Sequence, residues 1–429
     1  MNGTKRNGIT ALVGALIVII ILLLGVAAYA FLYPPTAATS TVTTTVQGTG
    51  STVTQTVQGG ATTVTTTVSG AASAISALKV GLIEPITPAD NSWNYQAHEE
   101  LQKLQAEYGF TFSESDNKVS GTDAQPVAAQ WASSGYNVIF LQGVQYQTMA
   151  STIAPTYPNT LFVCVDCTAA NASNVYRIWL DISGGGFVLG AMAGMLSKTD
   201  KFGLIGGGFV PSIWGGHEGF KAGVLYTATA TPTFYNKFEA FAWSDSAGAQ
   251  TDATNDYTNG ADIVFSSGDG IDVGVLGAAM AQPASTQVWA TNVYSNLTAV
   301  VPADNRVLLG SIVVNWAAMY NKALIDYVTH NWQWGFITAN MASGIVQVNP
   351  GPNVPANIRH AGLALQSDIV VGTITLFFKS DSNGNPHCFD TATDPACADT
   401  SLVVPSGGGA PTGDTAAQFN YLPPVSSLP

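Results

Sequence analysis

Asp90-Asn91-Ser92-Trp93-Asn94-Tyr95, followed closely by His98, concentrates recognition chemistry in one short stretch of the chain. A carboxylate accepts from hydroxyl or N–H donors, an amide both donates and accepts, and an indole covers a flat ring. The stretch follows an apolar run rich in β-branched residues, Lys79–Ile86, predicted as a strand. It opens a predicted helix, Ser92–Tyr108, in which Trp93, Ala97, Leu101 and Leu104 recur at helical spacing. Such groups at the carboxyl end of an opening strand are what a small-molecule cleft in an α/β protein needs. Asp90 can also cap the helix, and Trp93 could be a core residue. The flanking Asp90 and Asn94 favour a ring clamp.

Other reactive groups form no catalytic or metal-binding pattern. Asp166, Asp181, Asp269 and Asp272 each lack a His or second acid at catalytic spacing, and no Gly-x-Ser-x-Gly turn occurs. His98, His217, His330, His360 and His387 are scattered, so neither a metal nor a cofactor is expected. Gly184-Gly185-Gly186 and Gly206-Gly207-Gly208 lack the Gly-Lys-Ser/Thr of a phosphate loop and read as close backbone packing. His217 and Glu218 are expected on a solvated helix start. Trp214 and Trp316, just after strands, are the other aromatic candidates for a site. Cys164-Val165-Asp166-Cys167 is either a local disulfide or two free thiols, whereas Cys388 and Cys397 are expected to close a short loop.

The elements that must position these groups alternate from Lys79 onward. Strands are predicted at Lys79–Ile86, Phe110–Ser113, Val138–Leu141, Leu161–Val165 and Tyr176–Leu180, with helices between the first of them. A small-residue helix, Gly184–Leu196, opens a second run of strand–helix pairs through Gln287–Ala290, followed by Val307–Val314 and the helix Trp316–Val328. Parallel strands covered by helices account for this pattern. Two runs imply two doubly wound lobes joined by crossover strands, with a ligand bound between them. The boundaries read as lobe 1 over 79–181 plus 307–345 and lobe 2 over 182–306. Further elements and a loop-rich tail are expected over 346–429.

The amino-terminal part is different in kind. After Lys5 and Arg6, in the short basic segment 1–8, the stretch Ile9–Tyr33 is apolar, uncharged and long enough to cross a bilayer as a helix. Charge before the span and none after it places the rest of the chain outside the cell. A cleaved signal peptide is the rival reading, and a pilin-like leader cut before the apolar helix is a third. Within 34–78, three copies of Thr-Val-Thr-x-Thr-Val-(Gln/Ser)-Gly start at Thr41, Thr52 and Thr63. Thr, Val and Gly are poor helix formers, so an extended, O-glycosylated stalk is expected. Asn171 and Asn296 stand in glycosylation sequons. Of 429 residues only 10% are charged, the formal net charge is −13, and no basic stripe exists to suit nucleic acid.

Pro88-Ala89-Asp90-Asn91-Ser92-Trp93-Asn94-Tyr95 resembles the opening segment of the basic membrane protein family, the purine-nucleoside-receptor-like solute-binding proteins of ABC transporters. Further stretches are similar to it in family order. They are Tyr157–Phe162, Gly190–Gly194, Lys201–Gly208, Gly219–Gly223, Gly260–Phe265 and Val307–Trp316. The resemblance implies the type I periplasmic-binding fold and a site matched residue by residue. Asp90 stands for the acidic residue near the ligand and Trp93 for the ring that stacks on a base. Asn94 and Tyr95 share that loop, Gln142 and Tyr146 follow the third strand, and Asp269 follows Asp262–Phe265. Where nucleoside receptors of the family carry an aspartate for the ribose hydroxyls, Asn292 is the nearest equivalent. The implied partners are a nucleoside-like ligand and an ABC permease, with the membrane reached through the amino-terminal helix. No catalytic residue is implied. Two alternatives remain, a surface receptor or adhesion protein on the same fold and a nucleoside-acting surface hydrolase.

Overall fold

The computed structural model describes residues 40–45, 52–57, 62–67, 71–89, 92–167, 171–239, 242–296 and 306–374. The expected membrane span Ile9–Tyr33, Asp90 and the pair Cys388 and Cys397 lie outside them. Among the described residues no helix is long and apolar enough to cross a membrane. The chain divides into two compact units, Met1–Ser73 and Ala74–Pro429.

In the first unit each repeat copy carries a strand: β1 (Ser40–Thr45), β2 (Thr52–Val57) and β3 (Thr62–Thr67). β3 lies between the other two, parallel to β1 and antiparallel to β2. Alternating Thr and Val favour this extended backbone over a helix.

A short helix, α1 (Ala71–Ser76), runs across the division at Ser73, and the second unit contains two six-stranded sheets. The first lobe is built from β4 (Lys79–Ile83), α2 (Trp93–Tyr108), β5 (Thr111–Ser115) and α3 (Gly121–Ser133). It continues with β6 (Val138–Gln142), the short α4 (Gln147–Ile153), β7 (Leu161–Val165) and β8 (Val175–Leu180). The second lobe follows with α5 (Ser183–Leu196), β9 (Lys201–Gly206), α6 (Pro211–Thr227) and β10 (Thr233–Phe238). Then come α7 (Ser246–Thr258), β11 (Ile263–Ser267), α8 (Asp269–Ala281), β12 (Trp289–Tyr294) and β13 (Leu308–Val314). The last elements are α9 (Trp316–Val328), β14 (Phe336–Ala339), β15 (Val346–Pro350) and α10 (Ala356–Val370).

The first sheet runs β14-β8-β7-β6-β4-β5 and is parallel throughout. The second runs β10-β9-β11-β12-β13-β15, parallel except for the β13–β15 pair. Strands β4, β6, β7 and β11 are buried nearly end to end, as parallel strands covered on both faces must be. The chain therefore crosses between lobes three times, after β8, after β13 and after β14.

These crossings correct the boundary expected at residue 307. β13 pairs with β12 and so belongs to the second sheet, and β14 alone returns to the first. β15 then pairs antiparallel with β13, a contact no local pattern announces. The expected solvation of His217 and Glu218 is also corrected: both are fully buried on α6, with Lys221. α5 and α6 pack at backbone contact through glycines, so that a Cβ at Gly190 or Gly223 would meet the Phe220 or Phe187 carbonyl oxygen at 2.0 Å. At that separation every face of α6 is covered from Pro211 to Val224, and its polar residues there must find partners inside. His217 sits between Asn236 and Ser267 (Nδ1–Oδ1 2.8 Å, Nε2–Oγ 2.9 Å), and burial pushes its pKa down to about 3. Glu218 and Lys221 form a buried ion pair at 3.2 Å.

Candidate functional site

A cleft opens where the carboxyl ends of both sheets face each other, the position open α/β sheets offer a ligand. Its empty space is about 410 Å³, including the open mouth. The first lobe contributes Pro85 and Trp93 after β4, Gln142 to Gln145 at the end of β6, and Asp166 after β7. The second contributes Val210, Ser212 and Ile213 after β9, Trp243 after β10, Gly268 and Asp269 after β11, and Tyr294 at the end of β12.

Each wall is held by the fold behind it. In the first lobe the Trp93 indole N–H donates to the Gln142 carbonyl at 3.2 Å. The Gln142 side chain is committed to the scaffold, accepting from the Tyr320 hydroxyl at 2.8 Å and donating to the Trp93 carbonyl at 3.4 Å. Trp93 meets Trp316 edge to face, with ring centroids 5.0 Å apart. Asp166 occupies a left-handed turn (φ 61°) between the disulfide-bonded Cys164 and Cys167.

In the second lobe the Trp243 ring lies so close over Gly207 that a Cβ there would come within 2.6 Å of it. The Trp243 carbonyl accepts from the Gly270 amide at 2.8 Å, tying this loop to α8. Asp269 stands in the first turn of α8, where the helix dipole favours negative charge. Asp272, one turn on, accepts from the Val293 amide at 2.9 Å and so fixes the end of β12. Tyr294 follows in a left-handed conformation (φ 71°).

Contacts also cross the cleft. The Ser212 hydroxyl donates to the Asp166 carboxylate at 2.6 Å, Trp93 meets Tyr294 edge to face at 4.9 Å, and the Trp316 indole donates to the Tyr294 carbonyl at 3.2 Å. Burial pushes the Asp166 carboxyl up to about 7, with the Ser212 hydroxyl and the Leu180 amide pulling it back. Burial likewise raises the Tyr294 phenol, and the nearby Asp166, Asp269 and Asp272 add to the shift.

Of the residues expected at the site, Trp93, Gln142 and Asp269 line the cleft. Tyr146 does not: its hydroxyl donates to the Lys118 carbonyl inside the first lobe. Trp214 is buried on α6, and Trp316 stands behind Trp93 and Tyr294. Asn292 is buried among its own strands, donating to the Ser295 carbonyl at 2.8 Å and accepting from the Ser311 hydroxyl. It is not placed to stand in for a ribose-binding aspartate. Asn94 is buried and Tyr95 half-buried, and neither reaches the cleft wall.

Sequence reasoning did not bring forward Trp243, Ser212 or Tyr294, and weighed Asp166 only as a catalytic acid. Asp166 had a signal, a lone acid ending a buried strand. Trp243 had a weaker one, an aromatic just before the N-cap Asp245. Among the described residues no group of acids, His and Cys could hold a metal ion. Among the described residues the lining includes two carboxylates and no Lys, Arg or His. Its chemistry therefore suits a neutral or cationic ligand that donates hydrogen bonds and presents a flat face, and it disfavours phosphate and carboxylate.

Comparison with known proteins agrees with this architecture. Residues 77–375 match the family model described as ABC transporter substrate-binding protein PnrA-like. The ABC transporter nucleoside-binding protein BmpA of Lactococcus lactis is 25% identical over 67% of this chain and 85% of its own length. A purine-binding protein of Brucella abortus is 26% identical over 70% of this chain and 83% of its own. Among solved structures, an ABC transporter solute-binding protein from Aeropyrum pernix superposes with a TM-score of 0.62 at 17% identity, over 72% of this chain and 95% of its own, a likeness of fold. With its two sheets facing across a cleft and the family model covering both, this chain belongs to the PnrA-like family of ABC transporter substrate-binding proteins.

Proposed function

We propose that this protein is a membrane-tethered, extracytoplasmic binding protein that captures a purine nucleoside or a closely similar neutral ring compound and delivers it to an ABC permease. The observation that carries the reading is the cleft lining: Trp93 and Trp243 as ring surfaces, Asp166 and Asp269 as acceptors, and, among the described residues, no cation. A flat base lies against an indole, and hydroxyl or N–H donors of the ligand meet the carboxylates. The two relatives named for nucleoside and purine binding support the ligand class.

Binding requires no bond to be broken. A ligand touching both walls stabilises the closed arrangement of the lobes through contacts absent from the open one, and the population shifts by that difference. Ile9–Tyr33 serves as the anchor, and the Thr-rich repeats carry the binding unit away from the membrane. Tethering and ligand identity are independent parts of the proposal.

Calorimetric titration with purine nucleosides, free bases, nucleoside monophosphates and sugars tests it. Saturable binding of nucleosides or bases, with the monophosphates bound far more weakly, is expected. Tightest binding of the monophosphates would overturn the reading, and so would silence from the whole panel on folded protein free of co-purified ligand.

A further inference from the structure

Cys164 is the penultimate residue of β7, and Cys167 follows one residue after Asp166. Both sulfurs are sealed in the core of the first lobe, with Leu141, Tyr146, Phe162 and Val175 in the same cluster. The Cys167 amide also donates to the Ile178 carbonyl at 3.1 Å, joining the turn to β8. Between these anchors Asp166 holds a left-handed backbone, which L-residues other than Gly adopt infrequently and Asp more readily than most.

The carboxyl presented there has two differently occupied oxygens. Oδ2 accepts from Ser212 of the facing lobe at 2.6 Å. Oδ1 is buried and, beyond the pull of the Leu180 amide on the carboxyl, makes no well-formed hydrogen bond, so it offers an acceptor to a ligand donor on the cleft wall. The other titratable groups facing this region are Tyr294, Asp269 and, behind Tyr294, Asp272. An unrestrained turn could swing its carboxyl out to water, where both oxygens are solvated at no cost. Pinning the residues on both sides removes that escape, the kind of support a preorganised site requires.

We propose that the Cys164–Cys167 disulfide is a positioning element of the ligand cleft, fixing the turn so that Asp166 faces Ser212 and the ligand instead of water. Because both cysteines are fully buried, the disulfide acts as a fixed brace and not as a redox switch. The ligand-facing part rests on the nucleoside-binding reading, whereas the geometry of Asp166 does not.

The test therefore has a ligand-free arm. Isotope-edited NMR of aspartate carboxyl carbons, with Asp166 assigned by its loss in Asp166→Asn, follows its titration in the intact protein and in Cys164→Ala/Cys167→Ala. The intact protein is expected to titrate near its raised value of about 7, and the double variant within the ordinary carboxylate range. An unchanged midpoint in a folded double variant overturns the proposal. If double alanine unfolds, Cys164→Val/Cys167→Ala keeps more of the buried volume and takes its place.

In the second arm, removing the disulfide should weaken purine-nucleoside binding about tenfold, the size of a lost charge-assisted hydrogen bond. It should change nothing further in an Asp166→Asn background. Equal losses in both backgrounds mean that the disulfide only stabilises the fold, and sink the idea. If the intact protein binds no purine nucleoside, the functional reading fails while the titration still decides the role of the disulfide.

Discussion

The two lobes bring the same backbone device to the cleft and different chemistry behind it. Gly143 after β6 and Gly268 after β11 have φ of 151° and 147°, values that favour glycine, and each ends its strand facing the opposite lobe. Beyond Gly143 the first lobe offers Val144 and Gln145 in a short turn, and it keeps its acid for the braced turn at Asp166. Beyond Gly268 the second lobe places Asp269 directly on a helix start. The first lobe fixes its wall with side-chain hydrogen bonds and a disulfide. The second packs backbone on backbone through glycines and buries His217, Glu218 and Lys221 behind the wall. A cleft with one braced wall and one glycine-packed wall separates the groups that meet ligand from those that only hold the fold.

The largest expected effect tests that separation in the second lobe. Glu218→Ala removes the carboxylate that lies 3.2 Å from the fully buried Lys221 ammonium and should cost about 3–5 kcal/mol of stability. Replacing both charges, as Glu218→Leu/Lys221→Met, should be close to neutral by the same reasoning. Urea denaturation of both variants decides it. If the single and double variants lose equal stability, the pair is not the source of the cost.

Next in size is the pH dependence, where the lobes oppose each other. The Asp166 carboxyl, raised in the folded state to about 7, binds a proton that the unfolded chain has already released. Stability from this group is therefore present at low pH and is lost as pH rises towards about 7. His217, lowered to about 3, works in the opposite sense, and its contribution is lost as pH falls below the ordinary histidine range. Subtracting wild type from Asp166→Asn isolates the first term. The variant should gain roughly 2–3 kcal/mol relative to wild type from about pH 5 to about pH 8. A flat difference curve would mean that Asp166 titrates like a solvated acid.

The two tryptophans compare the walls directly. Trp93→Ala and Trp243→Ala should each cost about 1–3 kcal/mol of nucleoside affinity if a base lies between them. Trp93 is also braced by Gln142 and Trp316, so its removal should lower melting temperature as well. Half-buried Trp243 should change affinity with little effect on melting. Loss confined to one variant would assign the ring to one wall.

What the sequence made legible follows the same division. Buried parallel strands are continuous apolar runs, so β4, β6, β7 and β11 could be placed, and Trp93, Gln142 and Asp269, at or beyond the carboxyl ends of three of them, lie at the cleft. Helix α9 begins and ends as its pattern predicts. The unreadable parts depend on contacts between distant segments. Ser212 matters because Asp166 of the other lobe faces it. Tyr294 reaches the cleft while Asn292, two residues earlier, does not. The left-handed backbone at Tyr294 breaks the alternation that would have grouped them. His217 and Glu218 looked solvated because charge is normally exposed, and only the glycine-mediated approach of α5 and α6 covers them.

The smallest effect expected is Ser212→Ala, and it bears most directly on how the walls come together. The mutation removes one hydrogen bond between lobes, a net loss of about 0.5–1.5 kcal/mol. In a rigid core the abandoned Asp166 oxygen would have to stay dry and unsatisfied. At a cleft the lobes can part and let water reach it, so the loss should appear as a shift towards the open arrangement and not as a lower unfolding free energy. Small-angle scattering of the ligand-free variant should show a larger radius of gyration, with denaturant stability nearly unchanged. Unchanged scattering would move the weight of closure to Tyr294, whose contacts with Trp93 and Trp316 also span the cleft. In that case aromatic packing, and not a polar latch, sets the resting separation of the lobes.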